Sequence, residues 1–184
     1  MLNEPQEYTL ELVDGGSYRL HTEAKVCTFA KPSTVRGLAK RYTVSDAGAL
    51  FYVGIAEQPM SSRLSFGFNA SGKGGYHGYK WKGLRQRLAL SVWTAQIGGN
   101  PAPLREMETI EAEVAFRCRE QSGQWPAYQH EIHFYPSLPG HRAAAQRIYD
   151  HAVSSVQHPN GADAPTVLCD HVVAARGSFG ALDR

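Results

Sequence analysis

The sequence predicts an α+β fold in which a small β-sheet, antiparallel or mixed, opens with a β-hairpin and is followed by helices. Three observations lead to this expectation. Short segments before residue 56 alternate apolar and polar residues, or are apolar throughout, as strands do. An Asp-Gly-Gly sequence at residues 14–16 separates the first two segments, which is typical of a hairpin turn. Later segments carry apolar residues at helical spacing.

The first half of the chain supplies most of the predicted strands. Tyr8 to Val13 and Tyr18 to His21 form the hairpin, and Lys25 to Ala30 forms a further strand. The basic segment from Thr34 to Gly48 is predicted to be a loop between strands. Leu50 to Ile55 is apolar on both faces, which predicts a central strand.

The predicted helices follow that strand. A short helix that contains Arg63 comes first, and a glycine-rich loop then covers residues 69–83. Leu88 to Thr94 is predicted to be a strand. Leu104 to Glu120 and the alanine-rich segment from Gly140 to Val156 are predicted to be the two long helices.

The length of 184 residues suits one domain. We expect it to cover residues 1–157, with 1–24 as an N-terminal hairpin extension and 25–129 as the core, and we expect residues 158–184 to form a flexible tail. Three widely spaced cysteines predict neither a zinc site nor a disulfide framework. A polar start and the lack of a long apolar run predict no signal peptide and no membrane span. We therefore expect a cytoplasmic protein, monomeric or homodimeric.

Basic residues are concentrated in two stretches, although the net charge is only +2. No Asp or Glu occurs from Gln58 to Leu104, which holds six Lys and Arg residues, or from Ala24 to Ser45, which holds five. A surface of one sign favours a polyanionic partner such as DNA. A solvated face whose lysines pair with the later acidic residues is the alternative.

Glu111 lies in the apolar stripe of the first long helix, with Ile110 and Val114, whereas Glu113 lies on the polar face. A carboxylate that points inward needs a partner because the burial of a lone charge is strongly unfavourable. The position predicts either a Mg²⁺ ligand, since this hard cation prefers carboxylate oxygen, or a salt bridge to a neighbouring arginine.

Tyr52 and Gly54 share one strand face, so open space lies beside the tyrosine ring. The phenol can accept a proton from water if nearby cations lower its pKa from roughly 10, and otherwise it is a core tyrosine. Arg63 shares a helix face with Met60. It either grips a phosphate through two hydrogen bonds or lies at the surface.

The glycine-rich loop interleaves aromatic and basic side chains, a composition that can follow a phosphate backbone and stack on bases. We predict nucleic-acid contacts from this loop and the strand after it, through Lys73, Tyr76, Lys80, Lys82, Arg85 and Arg87. Glu131 and His133 are predicted to share one face of a short strand. There they shape a site or bind a metal, or they form the ordinary polar edge of that strand.

Tyr52-Val53-Gly54, followed by Arg63 and the inward Glu111, resembles the second half of the signature of the GIY-YIG nuclease superfamily. The resemblance covers about residues 25–129 and keeps the family's order of strand, arginine helix, loop, strand and glutamate helix. It implies a central sheet flanked by helices and a Mg²⁺- or Mn²⁺-dependent endonuclease that cleaves duplex DNA. In that enzyme Glu111 holds the metal, Arg63 stabilises the phosphate, and Tyr52 activates water or contacts the phosphate.

Some features depart from the family pattern. Residues 26–29 occupy the expected place of the first strand but lack its tyrosine, for which Tyr42 or Tyr52 substitutes. This leaves more than 20 residues between the two strands, as in the restriction-enzyme branch, and suggests a role in restriction, defence or mobile elements. Gln129 stands near the place of the family's asparagine, and Arg63 lies one residue later than usual. Lys73 and His77 are accessory candidates.

The sequence leaves two other functions open. A nucleic-acid-binding module on the same scaffold, with catalysis weakened by the missing first tyrosine, would bind DNA without cleaving it. A protein-interaction domain with a basic face would bind neither DNA nor RNA.

Overall fold

A computed structural model of the chain describes residues 1–13, 17–22, 25–84, 87–129 and 131–154. The strands are β1 (Gln6–Val13), β2 (Ser17–Thr22), β3 (Lys25–Val26), β4 (Lys40–Asp46), β5 (Ala49–Ala56), β6 (Arg87–Trp93), β7 (Gln96–Ile97) and β8 (Asn100–Pro101). The helices are α1 (Met60–Asn69), α2 (Leu104–Ser122) and α3 (Pro139–Ser154). Two short 3₁₀ turns, Lys73–Gly75 and Lys80–Gly83, interrupt the glycine-rich segment.

In the described part of the chain, six strands form one antiparallel sheet in the order β3-β2-β1-β6-β4-β5, which confirms the predicted α+β class. The N-terminal hairpin belongs to this sheet, because β1 pairs with β6 from Gln6 opposite Val92 to Glu11 opposite Arg87. The hairpin turn at residues 14–16 and the predicted tail at residues 158–184 lie outside the described residues.

Helices cover both faces of the sheet. On one face, Met60, Leu64 and Phe68 of α1 pack in a buried cluster with side chains of β1, β4 and β6. On the other face, side chains of α2 and α3 pack in a second cluster with Val53 and Trp93. The sheet is therefore the middle layer, and alternate residues of β4 and β5 face either α1 or the α2–α3 pair.

The prediction of a loop from Thr34 to Gly48 is wrong, because this segment contains β4. The strand passes to β5 through Ala47 and Gly48, whose φ angles are 45° and 82°. Positive φ at both central residues is typical of the type I′ turn, whose twist suits a tight hairpin. Ala-Gly is a weaker signal for this turn than Asn-Gly or Asp-Gly, so the sequence did not reveal it.

The two basic residues at the start of β4 are buried, contrary to what their charge suggests. Lys40 and Arg41 suggested a solvated loop, but both are fully buried. The Lys40 ammonium donates hydrogen bonds to the carbonyl oxygens of Val35 and Leu38 at 2.7 and 2.6 Å. Burial lowers the pKa of Lys40, and the nearby Glu57 carboxylate partly restores it. These two residues of the basic stretch are therefore not part of a polyanion-binding surface.

The expected position of the first tyrosine strand is also wrong. Residues 26–29 contribute only Val26 to a strand, and β3 pairs with β2 at the far edge of the sheet. The strand beside β5 is β4, in which Tyr42 stands opposite Gly54. Because only two residues separate β4 from β5, the long interval gives no basis for assigning the chain to the restriction-enzyme branch.

Among the described strands, β5 lies at the edge of the sheet and is not the central strand that was predicted. Its residues are apolar on both sides because helices cover both faces of the sheet at this edge. The chain after α2 covers its open side: the Tyr128 amide donates a hydrogen bond to the Phe51 carbonyl oxygen at 2.8 Å. The Val53 amide donates one to Oε1 of Gln129 at 3.0 Å.

The three predicted helices are confirmed, each within a few residues of its predicted bounds. The short strand predicted at residues 131–135 is wrong, since this segment has no regular secondary structure. Within the described part of the chain, no helix combines the length and the apolar character needed to cross a membrane.

Candidate functional site

A cavity of about 760 Å³ lies beside β5 at the edge of the sheet. β5, α1, the glycine-rich segment, α2 and the chain after residue 128 all contribute to its walls. Tyr52, Arg63 and Glu111, which were predicted to act together, all line this cavity. The other predicted site residues that line it are Tyr76, His77, Lys80, Lys82, Gln129, Glu131 and His133.

Arg63 lies on α1 and lines the cavity, and two tyrosines fix the position of its guanidinium. Its Nε donates a hydrogen bond to the Tyr42 hydroxyl at 3.2 Å, and its guanidinium carbon lies 5.8 Å from the centre of the Tyr79 ring. Burial lowers the pKa of this guanidinium, but Tyr42, Tyr79 and Tyr52 raise it by more, so the group stays charged. Among the described residues no acceptor pairs with its two terminal nitrogens, which leaves them for a two-point grip on a phosphate.

Tyr42 and Tyr79 close a ring of hydrogen bonds with Arg63. Tyr42 accepts from Nε of Arg63, the two hydroxyls lie 2.8 Å apart, and the Tyr79 hydroxyl donates to the Arg63 carbonyl oxygen at 3.4 Å. Since each hydroxyl has one proton, Tyr42 donates to Tyr79. Burial raises the pKa of both phenols, so both keep the protons that the ring needs. The predicted accessory residue Tyr42 is therefore a buried support and does not line the cavity.

Two glycines make room for these rings. A Cβ atom on Gly54 would lie 2.5 Å from Cζ of Tyr42 and 2.7 Å from Cε1 of Tyr52. A Cβ atom on Gly67 would lie 2.2 Å from Cε2 of Tyr79. The glycine of the Tyr-Val-Gly sequence is thus required by side-chain packing across two strands.

We predict that Gly54→Ala lowers the free energy of unfolding by about 1–3 kcal/mol, because the added methyl group forces both tyrosine rings out of position. Chemical denaturation followed by circular dichroism measures this change. Gly83→Ala is the matched control, since no atom of the described residues lies within 4 Å of its added Cβ. The control should stay within about 0.5 kcal/mol of the wild type. Equal stability of the two variants would contradict this account of Gly54.

Glu111 lines the cavity from α2 and is half-buried. Burial raises its pKa to about 7, and Arg41 and Arg63 offset part of that effect. Glu108, one helical turn earlier, raises the pKa further. In the described part of the chain no direct ion pair joins Glu111 to an arginine, so the alternative of a salt bridge is not realised there. A bound cation would favour the charged form of this carboxyl group and so lower its pKa.

We predict a pH-dependent stability difference between the wild type and Glu111→Gln, measured without metal. A pKa raised from 4.5 to about 7 contributes stability below pH 4.5 that is lost as the pH rises through 7. The amide has no such titration. The free energy of unfolding of the variant, relative to that of the wild type, should therefore rise by about 3 kcal/mol between pH 4.5 and pH 8. Urea denaturation over this pH range in the presence of a chelator measures the difference, and a difference that does not change with pH would refute it.

The side chains around Glu111 fit a Mg²⁺ or Mn²⁺ ion held by few protein ligands. Mg²⁺ commonly binds through one or two carboxylates and keeps several waters. Glu111 offers one carboxylate, and Glu108 lines the same cavity three residues earlier. No cluster of three His, Cys, Asp or Glu residues suited to a metal occurs within the described ranges. The residues therefore fit a largely hydrated ion and not an ion enclosed by protein ligands.

The pKa of the Tyr52 phenol is not lowered in the free protein, as a general base would require. Burial raises its pKa well above the usual value, Tyr42 raises it further, and Arg63 lowers it without offsetting the burial. The phenol is therefore protonated at neutral pH. Tyr52 lines the cavity, and its hydroxyl makes no hydrogen bond to any described residue. In this state it can donate a hydrogen bond to a phosphate oxygen.

The glycine-rich segment contributes fewer free cations to this cavity than predicted. Lys80 is exposed and lines the cavity. The Lys82 ammonium donates hydrogen bonds to the carbonyl oxygens of Ala70 and His77 at 2.8 and 3.2 Å, so it also ties the segment together. Lys73 lines a neighbouring cleft and not this cavity.

Of the remaining predicted site residues, some line the cavity and others lie elsewhere. Arg87 lies on β6, where its guanidinium is 3.7 Å from the Glu11 carboxylate of β1, and it does not line the cavity. Arg85 lies outside the described residues. Gln129 lines the cavity while its side chain bonds to β5. Glu131 and His133 also line the cavity and are 3.3 Å apart.

Sequence reasoning missed three residues of this region. Glu108 was detectable, because residues three apart share a helix face with Glu111. Tyr79 belongs to the segment predicted to be a glycine-rich loop, and it is buried. Arg41 is fully buried, and its guanidinium nitrogens have no hydrogen-bond partner in the described ranges. Burial lowers its pKa to about 9, and Glu111 partly restores it.

Comparisons of the chain with protein-family models, with curated proteins and with solved structures find no match. The cavity and its side chains are therefore the observations from which a function is inferred.

Proposed function

We propose that this chain is a divalent-metal-dependent DNA endonuclease of the GIY-YIG type. The observation that carries the proposal is the meeting of Tyr52, Arg63 and Glu111 in one cavity. A phenol, a guanidinium and a carboxylate supply the hydrogen bonds, the positive charge and the metal ligand that phosphodiester hydrolysis uses. The strand position of Tyr42 supports the proposal as well, because the family resemblance requires a tyrosine on the strand before Tyr-Val-Gly.

In this proposal each side chain has a separate task. Arg63, fixed through Nε, binds two oxygens of the scissile phosphate with its terminal nitrogens and offsets the charge that develops there. Tyr52 donates its proton in a hydrogen bond to a phosphate oxygen. Glu111, with Glu108 nearby, would hold the Mg²⁺ or Mn²⁺ ion. A bound ion of this kind supplies Lewis-acid stabilisation of the phosphate.

The surroundings of the cavity suit a nucleic-acid strand. Lys80 lines it and is exposed, and no Asp or Glu occurs in the sequence from Gln58 to Leu104, which includes the cavity residues between Arg63 and Gly83. The basic side attracts the phosphate backbone, and the acidic residues face it from α2. Cytoplasmic localisation belongs to the proposal and is consistent with the free thiols of Cys27 and Cys118.

The proposal is tested by incubating the purified protein with supercoiled plasmid and with linear duplex in Mg²⁺ or Mn²⁺. We expect nicking or linearisation with either ion and none in the presence of a chelator. No cleavage of any DNA, with the protein folded and the ions saturating, would contradict the proposed activity.

One observation favours a second function, a nucleic-acid-binding module that does not cleave. The phenol of Tyr52 is protonated in the free protein, so the charges around it do not prepare it to accept a proton. For such a module, gel-shift binding should weaken steeply with salt while no cleavage product forms in either ion.

A further inference from the structure

A second cleft, of about 440 Å³, lies next to the main cavity and shares Tyr76 with it. Its walls come from the outer face of α1 and from the glycine-rich segment. The lining includes two aromatic rings, one amide and one ammonium group, from Phe66, Tyr76, Asn69 and Lys73. None of the described residues that line this cleft is acidic.

Phe66 is the unexpected residue of this cleft. It points away from the core and is 57% exposed, although water contact with a phenyl ring is unfavourable. Its ring stacks on that of Tyr76, with centroids 5.0 Å apart and an interplanar angle of 11°. The two rings therefore form an aromatic stack in which Phe66 keeps more than half of its surface open to solvent. We call this stack the aromatic surface.

The turn that carries Tyr76 is held in one shape. The Gly72 amide donates a hydrogen bond to the Tyr76 carbonyl oxygen at 3.1 Å, and the Gly75 amide donates one to the Gly72 carbonyl oxygen at 3.0 Å. Gly72 has a φ angle of 92°, and the His77 ring lies only 2.7 Å from the position of an added Cβ. The aromatic surface is therefore formed before any ligand arrives.

Polar groups suited to a nucleotide surround this surface. Nδ2 of Asn69 donates a hydrogen bond to the Ser65 carbonyl oxygen at 2.9 Å, which leaves Oδ1 to accept one from a base edge. Lys73 is exposed beside the rings and can contact a phosphate. A planar, uncharged group with donors on its edge, attached to an anionic backbone, matches all of these features, and a nucleobase is such a group.

We propose that this cleft binds an unpaired nucleobase next to the phosphate held in the main cavity. The inference rests on the proposed function and specifies its substrate: DNA with an unpaired nucleotide beside the cut is preferred to fully paired duplex. A base within a duplex is stacked on its neighbours and cannot lie against Phe66 without leaving that stack.

Binding in the presence of a chelator tests this inference separately from cleavage. The probes are a paired duplex and the same duplex with one unpaired 2-aminopurine, whose fluorescence is quenched when it stacks. We expect the wild type to bind the second probe at least about five-fold more tightly and to quench it, since base–aromatic stacking contributes this much. Phe66→Ala should lose the preference and the quenching, and Phe66→Trp should keep both.

Phe116→Ala is the matched control, because Phe116 is 44% exposed on α2 and lines neither cavity. It should behave as the wild type does. Equal affinity of the wild type for the two probes, or a Phe66→Ala variant that keeps the preference, would overturn the inference. If the protein nevertheless cleaves DNA with metal, the proposed endonuclease function stands and only the nucleobase inference fails. A wild type that neither binds nor cleaves DNA would contradict both the inference and the proposed function.

Discussion

Glu111→Gln is expected to abolish metal-dependent nicking of plasmid DNA, with a loss greater than about 10³-fold. This exceeds the effect of removing one hydrogen-bond donor to a transition state, because the ion and its positive charge are lost together. The variant should stay folded. At a pKa of about 7 the wild-type carboxyl group is partly protonated at neutral pH, and the amide resembles that uncharged form.

The matched control is Glu113→Gln, on the same helix but outside the cavity lining. It makes the same chemical change and should nick plasmid as the wild type does. Nicking at the wild-type rate by folded Glu111→Gln protein would remove Glu111 from the proposed metal site.

Arg63→Lys is expected to reduce the cleavage rate at saturating DNA by about 10²–10³-fold while the charge is conserved. Lysine cannot bond to the Tyr42 hydroxyl and grip a phosphate through two parallel hydrogen bonds at the same time. Single-turnover kinetics with excess protein measures the rate, and gel-shift titration in a chelator measures the affinity.

Arg36→Lys provides the control, since Arg36 is exposed in the other basic stretch and lines neither cavity. Its cleavage rate should equal that of the wild type. The contrary outcome is a folded Arg63→Lys variant that binds DNA more weakly and yet cleaves saturating DNA at the wild-type rate. That result would show that Arg63 contributes to DNA binding and not to the cleavage step.

Much of the fold was predictable because its signals are local. The apolar spacing of α2, the Asp-Gly-Gly sequence of the hairpin and the apolar run of β5 each reflect neighbouring residues. β4 was missed because Lys40 and Arg41 resemble a solvated loop, and their burial depends on carbonyl groups and packing that the sequence does not display. The edge position of β5 was missed because helices on both faces make an edge strand as apolar as a central one.

Part of the candidate site was predictable. The family resemblance predicts that Tyr52, Arg63 and Glu111 lie together, and all three line one cavity. The helical spacing predicts the inward position of the Glu111 carboxylate. The support of Arg63 by Tyr42 and Tyr79 was not predictable, because it joins a strand, a helix and a loop through one ring of hydrogen bonds. Arg87 lies away from the cavity because β6 pairs with β1. This pairing joins segments far apart in the sequence, so local sequence patterns do not predict it.

Two charged groups near the cavity have pKa values shifted by burial, and shifted pKa values are common at functional sites. Arg41 is buried without a hydrogen-bond partner in the described ranges, and Glu111 carries a raised pKa. In the proposed function, a bound cation would favour the charged form of Glu111.

The most direct test of the account is the position of a metal ion and a phosphate together. Crystals grown with Mn²⁺ and a short oligonucleotide, measured at a wavelength where manganese scatters anomalously, locate both groups. The account predicts an anomalous peak about 2.0–2.2 Å from a carboxylate oxygen of Glu111, with Arg63 on the phosphate beside it. A manganese peak outside this cavity in a complex with the oligonucleotide bound, or a phosphate beyond the reach of Arg63, would contradict it.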